Sequence, residues 1–513
     1  MRPDTVFYRP EWTCGRYNAD AEVAIYYNLL EGMSYLFEDY SALVVAQLLA
    51  LPRNGSITIE QVAKITDIAI ESIIPFFEEL QKVGLITDFE PTKESITIYR
   101  KRLRQFKQNQ SQLIAEKIQK QPLDVSSAEM MYTEKAGGIT SVMFELTYNC
   151  SERCIHCYNI GATRNDNEIS HRGDLEELTL DDYKRIIDQL YEKGLIKVCL
   201  SGGDPFSKPF AWEIIDYLYY KGIATDIYTN GQRIVNDVDN LANYYPRLVG
   251  VSIYSGFADT HDKITRTRGS WSRSVAVLDH LSELAVPIVI KCCVMRPNVC
   301  NYYTVLDLAH KYGTIVQYEV NVSDSIEGDK CVSEMLRLTS EMLDVVLQDE
   351  NTPMYVGEKA RNYGSFPIRK DLNACGAGKN SFCITPNGEL IPCCALHLPF
   401  GNLKAQAINN LLNGNKGLED WQNLTLEQYE ECGDHDYCRF CNLCPGHNYS
   451  ENNMVTKAGE NNCFMARCRF NLAEKLKKGQ PSLSKDELIN SLKRFDNNVD
   501  YFHLRQIFNK IQG

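Results

Sequence analysis

The stretch Phe144–Tyr158 reads FELTYNCSERCIHCY and puts Cys150, Cys154 and Cys157 on one short loop, spaced Cys-x3-Cys-x2-Cys. The loop directly follows an apolar run with the character of a strand end. Three thiolates spaced this way can hold three irons of a cubane cluster and leave the fourth iron open to a ligand. A structural zinc site takes four ligands. The only near fourth group, His156, lies between two of the cysteines, where it would struggle to join them. Zinc and a set of free core thiols are the plainer alternatives to a cluster with an open iron.

At 513 residues the chain is too long for one core, and about three domains are expected. Its longest apolar stretch, Ala42–Leu51, falls short of the roughly 20 residues that cross a bilayer. The opening MRPDTVFYRPEW lacks a positive start followed by an apolar run, so no signal peptide is read there and the cytoplasm is the expected compartment. Nineteen cysteines in a reducing compartment point to metal or catalytic use. Only Cys14 precedes residue 150, and ten fall between Cys375 and Cys468. A net charge of −13 argues against nucleic acid as a partner. The basic run Arg100-Lys101-Arg102, with Arg104 and Lys107, reads as a solvated helix face.

Residues 1–90 read as a small winged-helix-like domain. TVFYR opens it as a strand, and the apolar segment Ala21–Leu51 reads as helical. Thr58-x-x-Gln61 has the form of a capping box. Ile73, Phe77, Leu80 and Val83 follow at helical spacing, Gly84 ends that helix, and Leu85-Ile86 resumes as a strand. Residues 91–138 read as a helical connector whose second part, Gln119–Gly138, is a polar linker. From 139 to 325 six strand-like runs alternate with amphipathic stretches: Ser141–Thr147, Ile196–Leu200, Ala224–Tyr228, Leu248–Ile253, Pro287–Val294 and Ile315–Val320. That alternation implies a parallel sheet with its active site at the strands' carboxyl ends. Residues 326–370 read as a helical connection. Residues 371–470 are cysteine-dense and poor in apolar runs, so bound metal is expected to organise them. Residues 471–513 read as a tail of two amphipathic helices.

Ser201-Gly202-Gly203-Asp204-Pro205 follows the second strand. Its glycines let the backbone approach a ligand closely, and an acidic residue beside them can meet an ammonium. Here the chain resembles the radical S-adenosylmethionine (SAM) enzymes. Cys150, Cys154 and Cys157, with Tyr158 next, match that superfamily's cluster loop; Gly202, Gly203 and Asp204 match its glycine-rich element. Thr229-Asn230-Gly231 and the stretch from Ser252 through His261-Asp262 to Gly269-Ser270 are also similar to it. The resemblance implies a partial (β/α)6 TIM-like barrel and a [4Fe–4S] cluster on the three cysteines. It also implies SAM held with help from Tyr158, Gly202, Gly203, Asp204 and Ser252, although Ser252 reads equally as an inward-facing strand serine. The implied chemistry is hydrogen abstraction from a C–H bond by a 5′-deoxyadenosyl radical, fed by an external low-potential electron donor.

Cys375-Gly-Ala-Gly, Ile384-Thr-Pro-Asn-Gly388 and Cys393 resemble the opening of a SPASM domain, and Cys438, Cys441, Cys444-Pro445 and Cys463 its second half. Such domains bind auxiliary iron–sulfur clusters through thiolates. The gap before Cys444 is short, and His447 or Asn448 stands where another cysteine is usual. One cluster therefore lacks a full cysteine set, uses Cys432, or is absent, leaving one or two auxiliary clusters. Cys383, Cys394 and Cys468 sit near enough to contribute, and zinc at Cys438/Cys441/Cys444 stays open.

The arrangement of residues 1–90 is similar to the leader-peptide recognition elements fused to peptide-modifying enzymes, which take a peptide as an added strand at a sheet edge. The resemblance as a whole implies a radical SAM/SPASM maturase of a ribosomally made precursor peptide. Its product would be a thioether, another crosslink or an inverted stereocentre. The alternatives are an anaerobic sulfatase-type protein activator and a non-enzymatic iron–sulfur electron carrier.

Overall fold

The computed structural model describes residues 2–109, 126–159, 176–325, 330–353, 355–357 and 370–495. Its N-terminal part is built on two small sheets. β1 (Val6–Tyr8) pairs antiparallel with β5 (Ser56–Thr58). β2 (Thr13–Asn18), β3 (Val23–Asn28) and β4 (Met33–Glu38) form an antiparallel meander. Helices Asp39–Ala50, Ile59–Thr66 and Ile70–Lys82 cover one face. The expected helix over Ala21–Leu51 is therefore two strands followed by a helix. The run VAIYYN is rich in the β-branched and aromatic residues that favour strands, and Gly32 turns it at φ +69°. Every residue of β3 is buried, so the segment shows neither the period of a strand nor that of a helix.

The capping box at Thr58/Gln61 forms as expected, and Ile73, Phe77 and Leu80 are buried on the third helix. Leu85-Ile86 is not a strand; Thr87 alone bridges to Tyr8. Part of the expected polar linker lies outside the described residues. The rest is a helix, Ser127–Ala136, capped reciprocally by Ser126 and Glu129. Its polar residues are used inside the protein, because Glu129 and Tyr132 are buried. The basic face is not simply solvated either. On helix Lys93–Asn109, Arg100 donates to the Ala242 carbonyl at 2.6 Å and lies over the Tyr245 ring.

All six expected barrel strands form: β6 (Ser141–Glu145), β7 (Lys197–Ser201), β8 (Ala224–Thr229), β9 (Leu248–Ser252), β10 (Ile288–Cys293) and β11 (Val316–Glu319). They run parallel, each paired with the next. The sheet does not end at β6. β12 (Ser381–Ile384), from the cysteine-rich segment, joins β6 in parallel, and β13 (Leu390–Ile391) pairs antiparallel with β12. The main core runs from this sheet through Phe400, Trp421 and Phe440 to Leu488 and Leu492. A second core fills the N-terminal helices. A third, with Trp12, Ile25, Tyr27, Tyr132, Ile196 and Tyr245, seals the meander onto the base of the barrel.

In the connection after β11, Cys331–Leu336 and Ser340–Val346 are helical. Of the two expected tail helices, the first begins already at Glu460 and runs to Lys477; the second is Lys485–Lys493. Residues 496–513 lie outside the described residues. No helix among the described residues is long and apolar enough to cross a membrane.

Candidate active site

The three-cysteine loop leaves the carboxyl end of β6 and is pinned on two sides. The Gly203 and Asp204 amides donate to the carbonyls of Thr147 and Asn149 at 2.7 and 3.0 Å. Arg153 and Ile155 donate to Thr265 and Ile264 at the end of helix Ala258–Thr265. The two glycines are required by this close approach. A Cβ on Gly202 would lie 2.5 Å from the Thr147 carbonyl, and one on Gly203 would lie 2.4 Å from that of Asn149. Gly202 also sits at φ +121°, a region that disfavours side chains.

Cys150 accepts hydrogen bonds from the Asn230 side-chain amide at 3.2 Å and the Glu152 amide at 3.4 Å. Burial pushes the Cys150 thiol up to about 12 and Cys157 to about 11. Cys154 is raised further by burial and by Glu152, Cys157 and Cys150 around it. Thiols in such surroundings ionise only beside a compensating cation. The loop also carries buried polar atoms with no partner among the described residues: Ser151 Oγ, Glu152 Oε1, His156 Nδ1 and both ends of Asn159. Converging thiols and unmet donors and acceptors suit a bound metal cluster with a polar ligand.

Asp204 is tied into the protein's own hydrogen bonds. It is wholly buried, and its carboxylate accepts from the Phe206 amide, the Thr229 hydroxyl at 2.6 Å and the Asn230 amide at 3.1 Å. It braces the turn that carries Asn230 to Cys150, because β8 ends beside it. The Ser252 hydroxyl bonds the Tyr254 phenol. Tyr254 is stacked on His261, and its ring meets His156 edge-on with the centroids 4.6 Å apart. The phenol of Tyr158 donates to Glu145 Oε1 at 3.0 Å, and Tyr148 donates to the other oxygen. Sequence reasoning gave no role to Glu145 or Tyr254 and noted Asn230 only as part of Thr229-Asn230-Gly231; the strand ends bring all three to the loop.

The remaining cysteines separate into two groups. Cys432, Cys438, Cys441 and Cys463 line one cavity of about 250 Å³. Cys444, although next in the run, leaves that group: its thiol and that of Cys375 lie near Cys393. Burial pushes up Cys393 and Cys432 to about 11 and Cys441 to about 12. Cys444 alone is pulled down, because its hydrogen bond to His447 and that ring's charge outweigh burial. Among the described residues no three His, Cys, Asp or Glu side chains close on a point as they would around a single ion. The four-cysteine set surrounds a volume instead.

Neither expected substitute ligand is free. Asn448 is buried, bonded to Val455, Gly459 and Asn462. The ring nitrogens of His447 meet Asn321 at 2.8 Å and Ser323 at 3.0 Å. Cys383 is buried on β12 near Glu145, Cys394 and Cys393, beside the second group. Cys468 lies apart, with Asp344 and Lys475.

The family profile described as the Radical SAM superfamily matches residues 144–303, and the SPASM iron–sulfur cluster-binding domain matches 375–445. The chain carries a radical SAM domain and a SPASM domain. It is 26% identical over 314 residues to the antilisterial bacteriocin subtilosin biosynthesis protein AlbA of Bacillus subtilis, covering 59% of this chain and 66% of AlbA. It is 27% identical over 317 residues to the mycofactocin maturase MftC of Mycobacterium tuberculosis, covering 58% of this chain and 76% of MftC. The fold is similar to that of Streptococcus suis SuiB bound to S-adenosylmethionine, with a TM-score of 0.51 at 14% identity, over 88% of this chain and 99% of SuiB. That share cannot be reached without residues before 139. The SPASM match ends at Pro445, and the helix beginning at Glu460 brings Cys463 back to its group.

Proposed function

We propose that this protein is a radical SAM enzyme that modifies a ribosomally made precursor peptide. The observation that carries the reading is the shared sheet. The strand leading to Cys150, β6, is hydrogen-bonded to β12 of the SPASM segment, and Cys394 shares the wall of one cavity with Tyr158 of the three-cysteine loop, which supports the two domains acting on one substrate.

Cys150, Cys154 and Cys157 would hold the cluster, which would supply the one-electron reduction of SAM that starts hydrogen abstraction from the peptide. The chain's own residues hold the geometry. Gly202 and Gly203 let the loop close on the turn after β7, and Asn230 steadies Cys150. Glu145 fixes Tyr158 at the mouth. Cys432, Cys438, Cys441 and Cys463 suit one auxiliary cluster, and Cys375, Cys393 and Cys444 supply three ligands of a second.

The precursor peptide is proposed to enter through the N-terminal domain. No strand among the described residues pairs with the outer edge of β4. Tyr35 and Phe37 of that strand pack toward the helices, with Phe37 edge-on to Phe76. An extended peptide added there would gain main-chain pairing beside an aromatic wall. An external low-potential donor supplies electrons, and the cytoplasm is the compartment we favour.

The test is anaerobic incubation with SAM, a reductant and candidate short peptides, followed by mass spectrometry. We expect 5′-deoxyadenosine together with a peptide of altered mass. SAM cleavage with every peptide unchanged would reject the peptide reading and return the protein-activator alternative.

A further inference from the structure

Side chains of β10 alternate between the two faces of the sheet. Ile288, Ile290 and Cys292 join the main core, whereas Val289 sits in a small separate cluster and Cys293 packs with Cys154. Lys291 has the parity of Val289 and Cys293, so it points into the barrel, on the side that the three-cysteine loop covers. β10 is internal to the sheet, yet Lys291 keeps part of its surface exposed. Its ammonium lies 3.6 Å from the centre of the Tyr228 ring on β8. It reaches that ring across Gly250 of β9, where a Cβ would come within 3.0 Å of Lys291 Cε and 2.7 Å of the Tyr228 ring.

The ammonium has no ion pair and no hydrogen bond among the described residues. Two carboxylates stand on the same face, and each is engaged elsewhere. Glu145 accepts from the Tyr158 and Tyr148 hydroxyls, and Glu319 Oε1 accepts from the amides of Val320 and Asn321. At the foot of the barrel Lys197 and Asp226 already have Glu129 and Arg247. An aromatic face offsets part of the cost of drawing a cation out of water. It leaves the ammonium's N–H donors free for an acceptor. Two cations act on different parts of the mouth. The Arg273 charge acts on Glu152, within the three-cysteine loop, whereas the Lys291 charge acts on Cys394, in the cavity wall shared with Tyr158.

We propose that Lys291 anchors an acidic side chain of the peptide, aspartate or glutamate, inside the barrel. The inference rests on the peptide-modifying reading and names a residue class that the barrel selects. The carboxylate accepts from the ammonium on the side away from Tyr228. This is the charge-assisted kind of hydrogen bond, which a neutral amide of the same size does not match.

The experiment is equilibrium dialysis of reconstituted full-length protein, with and without saturating SAM, against two labelled tripeptides, acetyl-Gly-Glu-Gly-amide and its glutamine counterpart. With SAM present, the glutamate peptide is expected to bind about tenfold tighter. Lys291→Gln is expected to erase that preference and Lys291→Arg to keep it. Equal affinities, no binding by either peptide, or an unchanged preference in Lys291→Gln overturns the anchor. So does a preference that vanishes once SAM is added, because SAM's own carboxylate then holds the ammonium. If Lys291→Gln does not fold, Lys291→Met replaces it, and the wild-type comparison alone can still overturn the anchor. The mass-spectrometric assay separates the two failures: an altered candidate peptide with equal tripeptide affinities rejects the anchor alone, whereas no altered peptide rejects the reading beneath it.

Discussion

Lys197, at the foot of β7, lies 2.6 Å from Glu129 on the connector helix, and both side chains are nearly excluded from water. Glu129 also accepts from the phenol of Tyr27 on β3 and lies 3.9 Å from Arg247. One carboxylate thus ties the N-terminal meander, the connector and the barrel base together. Glu129→Ala removes the nearest countercharge of a buried ammonium and is expected to cost about 3 kcal/mol, read by urea unfolding. Pairing Glu129→Leu with Lys197→Met should recover most of that loss; a double variant as unstable as the single would contradict this account. Deleting the whole N-terminal domain would instead strip the core around Trp12 and Tyr245, so point substitutions are the cleaner probe.

The cysteine grouping predicts iron content. Cys432→Ala is expected to lower iron by about four atoms per chain, the content of one cubane. Cys468→Ala, away from both groups, should leave it unchanged. Iron analysis after anaerobic reconstitution distinguishes them, and full iron in the Cys432 variant would remove that residue from the set.

Gly203→Ala places a methyl against two main-chain carbonyls of the three-cysteine loop, those of Asn149 and Tyr148. Neither can move as a flexible side chain would. We expect the loop to shift, with loss of SAM cleavage of at least about a hundredfold, equivalent to roughly 3 kcal/mol. The same substitution at Gly417, in helix Lys416–Gln422, where a Cβ comes no nearer than 3.5 Å to the Asn415 side chain, should leave cleavage intact.

His261 is wholly buried, its Nδ1 accepting from the Tyr254 amide at 3.2 Å, and burial lowers its pKa to about 4. The unfolded chain binds that proton near pH 6.5. The stabilisation is thus complete above about 6.5 and is lost as pH falls toward 4, by roughly 3 kcal/mol. His261→Asn, which keeps an acceptor, should flatten that part of the pH–stability curve. Parallel curves for variant and wild type would show that His261 does not carry the loss.

The barrel strands were legible because parallel strands buried on both faces read as continuous apolar runs. The loop cysteines were legible because their spacing is local. The meander failed for a related reason: every residue of β3 is buried, so its period is masked, and the breaks that part it from the helix, Glu31-Gly32 and Glu38-Asp39, are short. Helix Ser127–Ala136 was hidden by its polar residues, of which Glu129 is spent on a buried ion pair. Cys444 could not be assigned from spacing, since its group depends on where Cys375 and Cys393 return in space. The bracing partners of Asp204, Thr229 and Asn230, were not legible because they arrive from the next strand.

The parallel pairing of Ser381–Ile384 with Ser141–Phe144 has a consequence for how such proteins diversify. A cassette that contributes a strand to its host's sheet cannot be exchanged freely; a graft from a distant cousin must bring a matching edge or leave β6 bare. The register is also a ruler: a slip of two residues would carry the far thiols about 7 Å along the sheet. Insertions are therefore expected to accumulate in the loops on either side of that strand, while the strand itself keeps its length.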